Sequence, residues 1–203
     1  MSENAAIDKK KRRGRPKTFE KSRVLELALK AYWEGNPADV SLNAICKLAE
    51  VSKPSLYREF GSEDGLTLAA LEDYSDSVLT GVGNILDKDC EFSQSLETLV
   101  EFVAKDPVFD AGCLYVKMRA ARRQFGPLTQ ARITEIEAVS AARFLGFLQR
   151  NSDNGSWKSD IPIKLAARYL NEQVGLALAQ RSTHEDVGTI EDMLRIAFKQ
   201  FEV

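Results

Sequence analysis

The sequence predicts an all-α fold of about nine helices. Along most of the 203-residue chain, apolar residues recur at intervals of three and four, which is the spacing of one helix face. Ser, Pro and Gly separate these stretches at positions that begin and end helices. We find no convincing alternation of apolar and polar residues of the kind that a half-buried strand needs. Hydrophobic residues make up 44% of the chain, which is enough for a core.

The first four predicted helices follow one another closely. The first has an apolar face and ends at the turn sequence Gly35-Asn36-Pro37. Ser41 is placed to cap the second helix, and Ser52 to cap a short third helix with Pro54 in its first turn. Ser62, followed by two acidic residues, opens a long fourth helix. The apolar face of the first helix consists of Val24, Leu27, Ala28, Ala31 and Tyr32.

The rest of the chain continues as helices. Pro107 follows one of them, and Gly126-Pro127 separates the next two. A stretch rich in turn residues, 151–160, predicts a loop. The predicted helices cover residues 91–105, 112–125, 127–151 and 162–182. A last helix carries a clean apolar stripe at Ile190, Met193, Leu194, Ala197, Phe198 and Phe201.

Several functional classes lack a signal in the sequence. Cys46, Cys90 and Cys113 are far apart and predict reduced thiols, and His184, the only histidine, lies in a polar stretch. We therefore expect no metal site, no cofactor and no enzymatic activity. No apolar run is long enough to cross a bilayer, and no apolar segment follows the basic N-terminal block as in a signal peptide. We expect a soluble, cytoplasmic protein that does not bind membranes.

Charge is distributed unevenly along the chain. Residues 1–60 hold 13 Lys and Arg against 8 Asp and Glu, whereas residues 61–203 hold 15 against 22. The block KKKRRGRPK, residues 9–17, contains seven of these basic residues. A basic N-terminal region followed by an acidic remainder indicates that the N-terminal region binds a polyanion.

Residues 41–66 predict a helix-turn-helix. In this motif the first helix braces the second, which presents its N-terminal residues to the major groove of DNA. A helical hairpin that merely packs is the alternative for the whole motif. For Tyr57 alone, a place in the core is a separate alternative. Six apolar residues are spaced to pack the two helices together: Leu42, Ile45, Leu48, Val51, Leu56 and Phe60. The side chains left near the groove are Ser52, Lys53, Ser55, Tyr57 and Arg58, which suit base edges and phosphates.

The stretch VLELALKAYWEG, followed by SLNAICKLAEVSKPSLYREFGSEDGL, resembles the DNA-binding region of the TetR family of bacterial transcription regulators. The likeness covers about residues 20–70 and keeps V-S-x-x-x-L-Y-x-x-F and S-x-x-x-L at fixed spacing. It implies a homodimer with a small DNA-reading domain and a larger ligand domain. It also implies a ligand-responsive repressor that binds a pseudo-palindromic operator in double-stranded DNA and responds to a small-molecule effector.

The resemblance assigns DNA-contacting roles by position. Ser41 and Asn43 fall at the start of the supporting helix, and Arg58 falls near the phosphates. The recognition helix would contact bases or backbone through Lys53, Pro54, Ser55 and Tyr57. We divide the chain into a basic arm (1–17), a helix-turn-helix domain (18–66) and a ligand-binding and dimerisation domain (67–203).

Two residues depart from the family pattern. Glu50 stands in the turn where the family usually has Gly, and a positive φ there would cost Glu50 about 1 kcal/mol. Glu63 stands near the start of the fourth helix where the family often has Lys, and a carboxylate there repels phosphate.

The basic block has three interpretations: a DNA-binding arm, a targeting signal or a solvated tail. Its core RGRP resembles an AT-hook, in which Arg13 and Arg15 would enter a narrow minor groove. An architectural binder of A·T-rich DNA, led by this arm and without an effector, is therefore the alternative function.

The effector pocket and the dimer interface are predicted from apolar residues. Cys113 is also a candidate thiol sensor, although plain core is an alternative for most of the pocket residues. The predicted pocket residues are Phe109, Cys113, Tyr115, Met118, Phe125, Phe144, Phe147 and Trp157. The predicted interface, two helices from each chain forming a four-helix bundle, comprises Val174, Leu178, Ile190, Met193, Leu194, Ala197, Phe198 and Phe201.

Overall fold

The computed structural model describes residues 20–201, and these residues form nine α-helices and no strand. The predicted all-α fold is therefore confirmed. Four short 3₁₀ helices lie between or after the α-helices. The α-helices are α1 (Lys21–Glu34), α2 (Leu42–Ala49), α3 (Lys53–Phe60), α4 (Glu63–Leu86), α5 (Phe92–Lys105), α6 (Leu114–Ala120), α7 (Pro127–Asp153), α8 (Ile163–Arg181) and α9 (Val187–Phe198).

Three serine side chains cap the helices of the N-terminal region as predicted. The Ser41 hydroxyl accepts a hydrogen bond from the backbone N–H of Ala44 at 3.2 Å, at the start of α2. Ser52 and Ser62 accept equivalent bonds at the starts of α3 and α4. A capping hydroxyl satisfies an amide that has no partner within the helix, so these three positions determine where the helices begin.

The chain between residues 110 and 130 departs most from the predicted boundaries. The prediction of a single helix over 112–125 was wrong, because α6 begins only at Leu114 and a 3₁₀ turn follows it. Gly112 has a left-handed backbone, with φ of +79°, which a regular helix does not allow. The loop predicted over 151–160 is shorter than expected, because α7 includes Asn151 and continues to Asp153.

Helix α4 connects the N-terminal helices to the rest of the fold. It packs against α1 and α3, and also against α5, α6 and α7. Helix α8 packs against α7 and α9, and α9 also packs against α5. The core includes the stacked rings of Phe92 and Phe147, whose centroids are 5.2 Å apart. The predicted boundary between residues 66 and 67 falls inside α4, which is continuous there.

Candidate nucleic-acid interface and adjoining cavity

Helices α2 and α3 form the predicted helix-turn-helix, joined by a tight turn at Glu50. Glu50 has φ of 56° and ψ of 38°, a left-handed conformation, and Val51 donates its N–H to the Cys46 carbonyl at 3.0 Å. Glu50 therefore has the positive φ that the sequence left open, with an associated cost of about 1 kcal/mol. Among the residues expected to pack the two helices, Leu48 was wrong, because its side chain is 53% exposed.

The predicted DNA-contacting residues lie on the outside of this motif. Tyr57 is 43% exposed, which excludes its alternative interpretation as a core residue. Within residues 20–201, neither Lys53 nor Arg58 has a carboxylate within ion-pair distance. Ser41, Asn43, Ser52, Lys53, Pro54 and Arg58 are exposed, and Ser55 is half-buried. The structure therefore brings these eight side chains onto two adjacent short helices, whereas Arg13 and Arg15 lie outside the described residues.

Glu63 makes a contact that sequence reasoning did not predict. Its carboxylate accepts a hydrogen bond from the backbone N–H of Leu42, the first residue of α2, at 3.2 Å. The N-terminus of a helix carries a partial positive charge that favours anions such as phosphate. Glu63 therefore occupies part of the electropositive end of α2, beside Ser41.

Helices α4 and α7 are joined by a carboxylate cap. Asp64 accepts hydrogen bonds from the backbone N–H groups of Leu128 at 2.8 Å and Thr129 at 3.1 Å, and from the Thr129 hydroxyl at 2.7 Å. Gly126 permits this approach, because a Cβ atom there would lie 2.4 Å from the Asp64 carboxyl carbon. Asp64 thus links the start of α4, next to the helix-turn-helix, to the start of α7.

Helices α1 and α6 meet at a second contact, which we call the α1–α6 junction and define as Trp33, Gly35, Gly112 and Lys117. The Lys117 ammonium donates to the Trp33 carbonyl at 2.6 Å and to the Gly35 carbonyl at 3.4 Å. The Trp33 indole N–H donates to the Gly112 carbonyl at 2.6 Å. Partial burial lowers the pKa of Lys117. The junction places a cation at the C-terminus of α1, where the helix dipole favours it.

A cavity of about 60 Å³ lies between α4, α6, α7 and α8, and we call it the inner cavity. Of the eight predicted pocket residues, only Cys113 and Tyr115 line it. Phe109, Met118, Phe144 and Phe147 are buried in the core outside its wall. Phe125 is half-buried near Gly126, and Trp157 packs close to Phe201. The apolar lining that sequence reasoning missed consists of Val78, Leu79, Val82, Val116, Ile136, Val174 and Leu178.

The environment of Cys113 does not suit a thiol sensor. The residue is buried, and this burial raises the pKa of its thiol. The pKa of Tyr74, which adjoins it, is also raised by burial. A thiol that stays protonated is a poor nucleophile, because the thiolate is the reactive form. The sensor interpretation of Cys113 is therefore not supported.

The predicted dimer-interface residues are mostly used within the chain. Seven of the eight are buried inside one chain, and only Met193 is exposed, at 41%. Apart from Met193, the apolar stripe of α9 is buried within the chain, where α9 packs against α5 and α8. The opposite face of these helices is also apolar, and we call it the α8–α9 face. It comprises Leu165, Tyr169, Leu176, Met193 and Ile196, of which Ile196 is 74% exposed.

The fold and the site together define a class of protein. An exposed recognition helix, whose first-turn and last-turn cations have no ion-pair partner within residues 20–201, stands on a helical body that contains a cavity. This is the arrangement of a helix-turn-helix DNA-binding regulator. Among residues 20–201, no cluster of three or more potential metal ligands occurs, and no helix is long and apolar enough to cross a membrane.

Comparison with known proteins finds a family match in the N-terminal region. Residues 24–70 match the family described as bacterial regulatory proteins, tetR family. This match shows that residues 24–70 form a DNA-binding region of the TetR type, and the relatives below are similar to the chain in the same sense. Regulators of this family are not enzymes.

Two relatives are described as HTH-type transcriptional repressors. ComR of Escherichia coli K12 is 37% identical over 67 residues, 33% of this chain, and the match spans only 32% of ComR. KstR2 of Rhodococcus jostii RHA1 is 25% identical over 167 residues, covering 80% of this chain and 79% of KstR2.

Solved structures share the fold. The reduced form of NemR from Escherichia coli has a TM-score of 0.76 at 17% identity, covering 90% of this chain and 97% of NemR. A cysteine mutant of CifR, complexed with 26 base pairs of double-strand operator DNA, has a TM-score of 0.75 at 22% identity. That alignment covers 93% of this chain and all of the CifR chain.

Proposed function

We propose that this protein is a ligand-responsive, homodimeric repressor that acts in the cytoplasm on a pseudo-palindromic operator. The observation that carries the proposal is the position of α6. One part of this helix lines the inner cavity, through Tyr115, Val116 and Arg119, while Lys117 holds the end of α1. A ligand that displaces α6 would therefore also displace the helix on which the helix-turn-helix packs.

Sequence recognition in this proposal belongs to α3. Lys53 and Tyr57 approach bases and backbone in the major groove, and Arg58 binds phosphate, because these side chains are exposed at the helix surface. Ser41 and Asn43 contribute from the start of α2. We assign residues 18–66 to DNA reading and residues 67–203 to binding of ligand and partner. Residues 1–17 add phosphate contacts, and Arg13 and Arg15 enter a narrow minor groove.

Release needs only a difference in affinity between two states. An effector that binds better to a conformation with α6 displaced shifts the population toward that conformation. In a dimer, even a small rotation of each head changes the distance between the two recognition helices. The half-sites of the operator lie one helical turn apart or a multiple of it, so the altered dimer no longer fits both. The description of two relatives as repressors supports negative regulation.

Operator binding by single-residue variants tests the role of α3. We expect Lys53→Ala and Tyr57→Ala each to weaken binding by about tenfold, because a good base or phosphate contact is worth about 1–3 kcal/mol. Fluorescence anisotropy with DNA from upstream of the gene measures the affinity, and light scattering measures the oligomeric state, which should not change.

The matched control is Lys158→Ala, which removes an exposed lysine from the loop between α7 and α8. It should bind the operator like the unmodified protein. Wild-type affinity in both α3 variants would contradict the assignment of the recognition helix.

A further inference from the structure

The inner cavity adjoins a second space, and the two share a wall. We call the second space the outer groove; it lies between α6, α7 and α8 and has a volume of about 400 Å³. Arg119 and Asn171 line both spaces. The wall is completed by polar pairs between helices, because Arg119 pairs with Glu172 at 2.8 Å and the Ser140 hydroxyl donates to the Asn171 side-chain carbonyl at 2.7 Å.

The volumes of the inner cavity and the outer groove indicate that a ligand would occupy both spaces. Sites for small organic ligands usually measure about 300–1,000 Å³. At about 60 Å³ the inner cavity alone is below this range, while the outer groove reaches it but is open to solvent on one side. If the polar pairs of the wall separate, the two spaces become one site with a closed apolar end and an open polar end.

The chemistry of the two ends differs. The inner end is lined by aliphatic side chains, among them Val78, Leu79 and Val82 of α4 and Ile136 of α7. The outer groove has a floor of small residues, with Ala141 and Ala167 among them. A compact apolar body therefore fits the inner end, and a polar head group fits the wall and the groove.

The charges of the outer groove favour an anionic head group. Its lining contains the cations Arg119, Lys164 and Arg168 against the carboxylates Glu137 and Glu172. Within residues 20–201, Lys164 and Arg168 have no carboxylate within ion-pair distance.

Hydrogen-bond donors at the wall add to this preference. The side-chain N–H₂ group of Asn171 has no partner in the part of the chain that the structure describes. Tyr115 lines the inner cavity beside the wall, and its hydroxyl is a second hydrogen-bond donor.

From these observations we infer that the effector is an amphiphilic anion, with a compact apolar body in the inner cavity and a carboxylate-type head group bound by Arg119 and Asn171. The inference rests on the proposed function and specifies its ligand class. It also supplies a trigger. A carboxylate bound to Arg119 replaces Glu172, so the ion pair that fastens α6 to α8 is broken when the ligand binds.

Calorimetric titration of the full-length protein with three eight-carbon probes tests the ligand class. Octanoate, octanamide and octylamine share an apolar chain and differ in the charge of the head group. We expect octanoate to bind at least about tenfold more tightly than octanamide, because a hydrogen bond to a charged group is stronger than one between neutral groups. Octylamine should bind most weakly. Equal binding of the three probes, or no binding of any, would overturn the inference.

Variants locate the head group. Arg119→Met should reduce octanoate affinity to that of octanamide. Asn171→Asp keeps the acceptor for Ser140 but adds a negative charge, so it should abolish octanoate binding and improve octylamine binding. Arg132→Met is the matched control, since Arg132 lies on α7, pairs with Asp76 and lines neither space. Thermal melting verifies that each variant is folded, and octanoate binding that survives in both site variants contradicts the assignment.

Operator release separates this inference from the proposed function. Octanoate should release the operator, and Arg119→Met should prevent that release. If octanoate binds through Arg119 without affecting the operator, the ligand class stands and ligand-responsive repression fails. If octanamide releases the operator as effectively as octanoate, repression by ligand stands and the anionic class fails.

Discussion

Single residues set the electrostatics of the DNA-binding surface. Lys53 and Arg58 are exposed and have no ion-pair partner among the described residues, so their charge is available to DNA. Glu63 acts in the opposite direction, since its carboxylate accepts the Leu42 N–H at the beginning of α2. This carboxylate competes with a DNA phosphate for the same helix end.

Removing the charge of Glu63 should strengthen DNA binding. We expect Glu63→Gln to raise operator affinity about fivefold, which corresponds to about 1 kcal/mol for one charge pair near water. The gain should shrink as salt is added, because salt screens exposed charges. Anisotropy titrations at two salt concentrations measure it.

Glu72→Gln is the control for this substitution, because Glu72 is an exposed glutamate further along the same helix. It should leave affinity nearly unchanged. An unchanged or weaker affinity for Glu63→Gln would show that the contact with Leu42 positions α2 more than it repels phosphate.

At the scale of helices, the α1–α6 junction joins the body to the DNA-binding head, and in the proposed mechanism it transmits a change from one to the other. Residues that line the inner cavity and residues that hold α1 are interspersed along 112–119. Gly112 also lies against Ser182 at the end of α8, where a Cβ atom on Gly112 would be 2.4 Å from the Ser182 Cβ. Helix α6 therefore has close neighbours at both the head and the body.

Substitution of Lys117 should weaken this transmission. We expect Lys117→Met to lower the free energy of unfolding by about 1–2 kcal/mol, because it removes charge-assisted hydrogen bonds to the Trp33 and Gly35 carbonyls. The variant should still bind the operator, but a ligand should release it less completely. Denaturant unfolding and ligand-dependent anisotropy measure the two effects.

Lys30→Met provides the comparison, since Lys30 pairs with Glu34 and both side chains are more than half exposed. Loss of that pair should change stability very little, because exposed ion pairs contribute little. If Lys117→Met behaves like this control in both measurements, the junction is not a transmission element.

Features set by neighbouring residues were predictable from the sequence, whereas features set by distant residues were not. The caps at Ser41 and Ser52 and the exposure of Tyr57 follow from short-range patterns. The cap of α7 by Asp64 joins residues 64 positions apart, and no local pattern marks it. The cavity is equally invisible, because its aliphatic residues have the same spacing as those of the packed core.

At the scale of the whole molecule, most of the residues predicted for the dimer interface are buried within one chain. An apolar stripe indicates that a helix face is covered, but it does not identify what covers it. In α9 the stripe is covered by the same chain, and the exposed α8–α9 face is left for a partner. Regulators of the TetR family typically act as dimers. We expect this chain to dimerise as well, and we expect the α8–α9 face to form the interface.

A charge placed on the α8–α9 face should dissociate the dimer. We expect Ile196→Glu and Leu176→Glu to halve the molecular mass in sedimentation at micromolar concentrations, because a carboxylate is costly to bury without a partner. Operator affinity should fall in parallel, since one head then binds one half-site. Val139→Glu, at an exposed apolar position of α7, should remain dimeric. Dimers that persist in both interface variants would place the interface elsewhere.

The carboxylate of Asp64 has a further consequence for exchanging parts between regulators. Asp64 belongs to the N-terminal segment that would be exchanged together with the DNA-reading helices, yet its carboxylate caps the start of α7 in the other part of the chain. The two parts are therefore not independent modules. A hybrid that takes its first 66 residues from another protein keeps the N-terminal cap of α7 only if that protein supplies an acidic residue at position 64. The same hybrid needs an indole at position 33 to reach Gly112. A workable splice point is therefore defined by these two side chains rather than by the end of a helix.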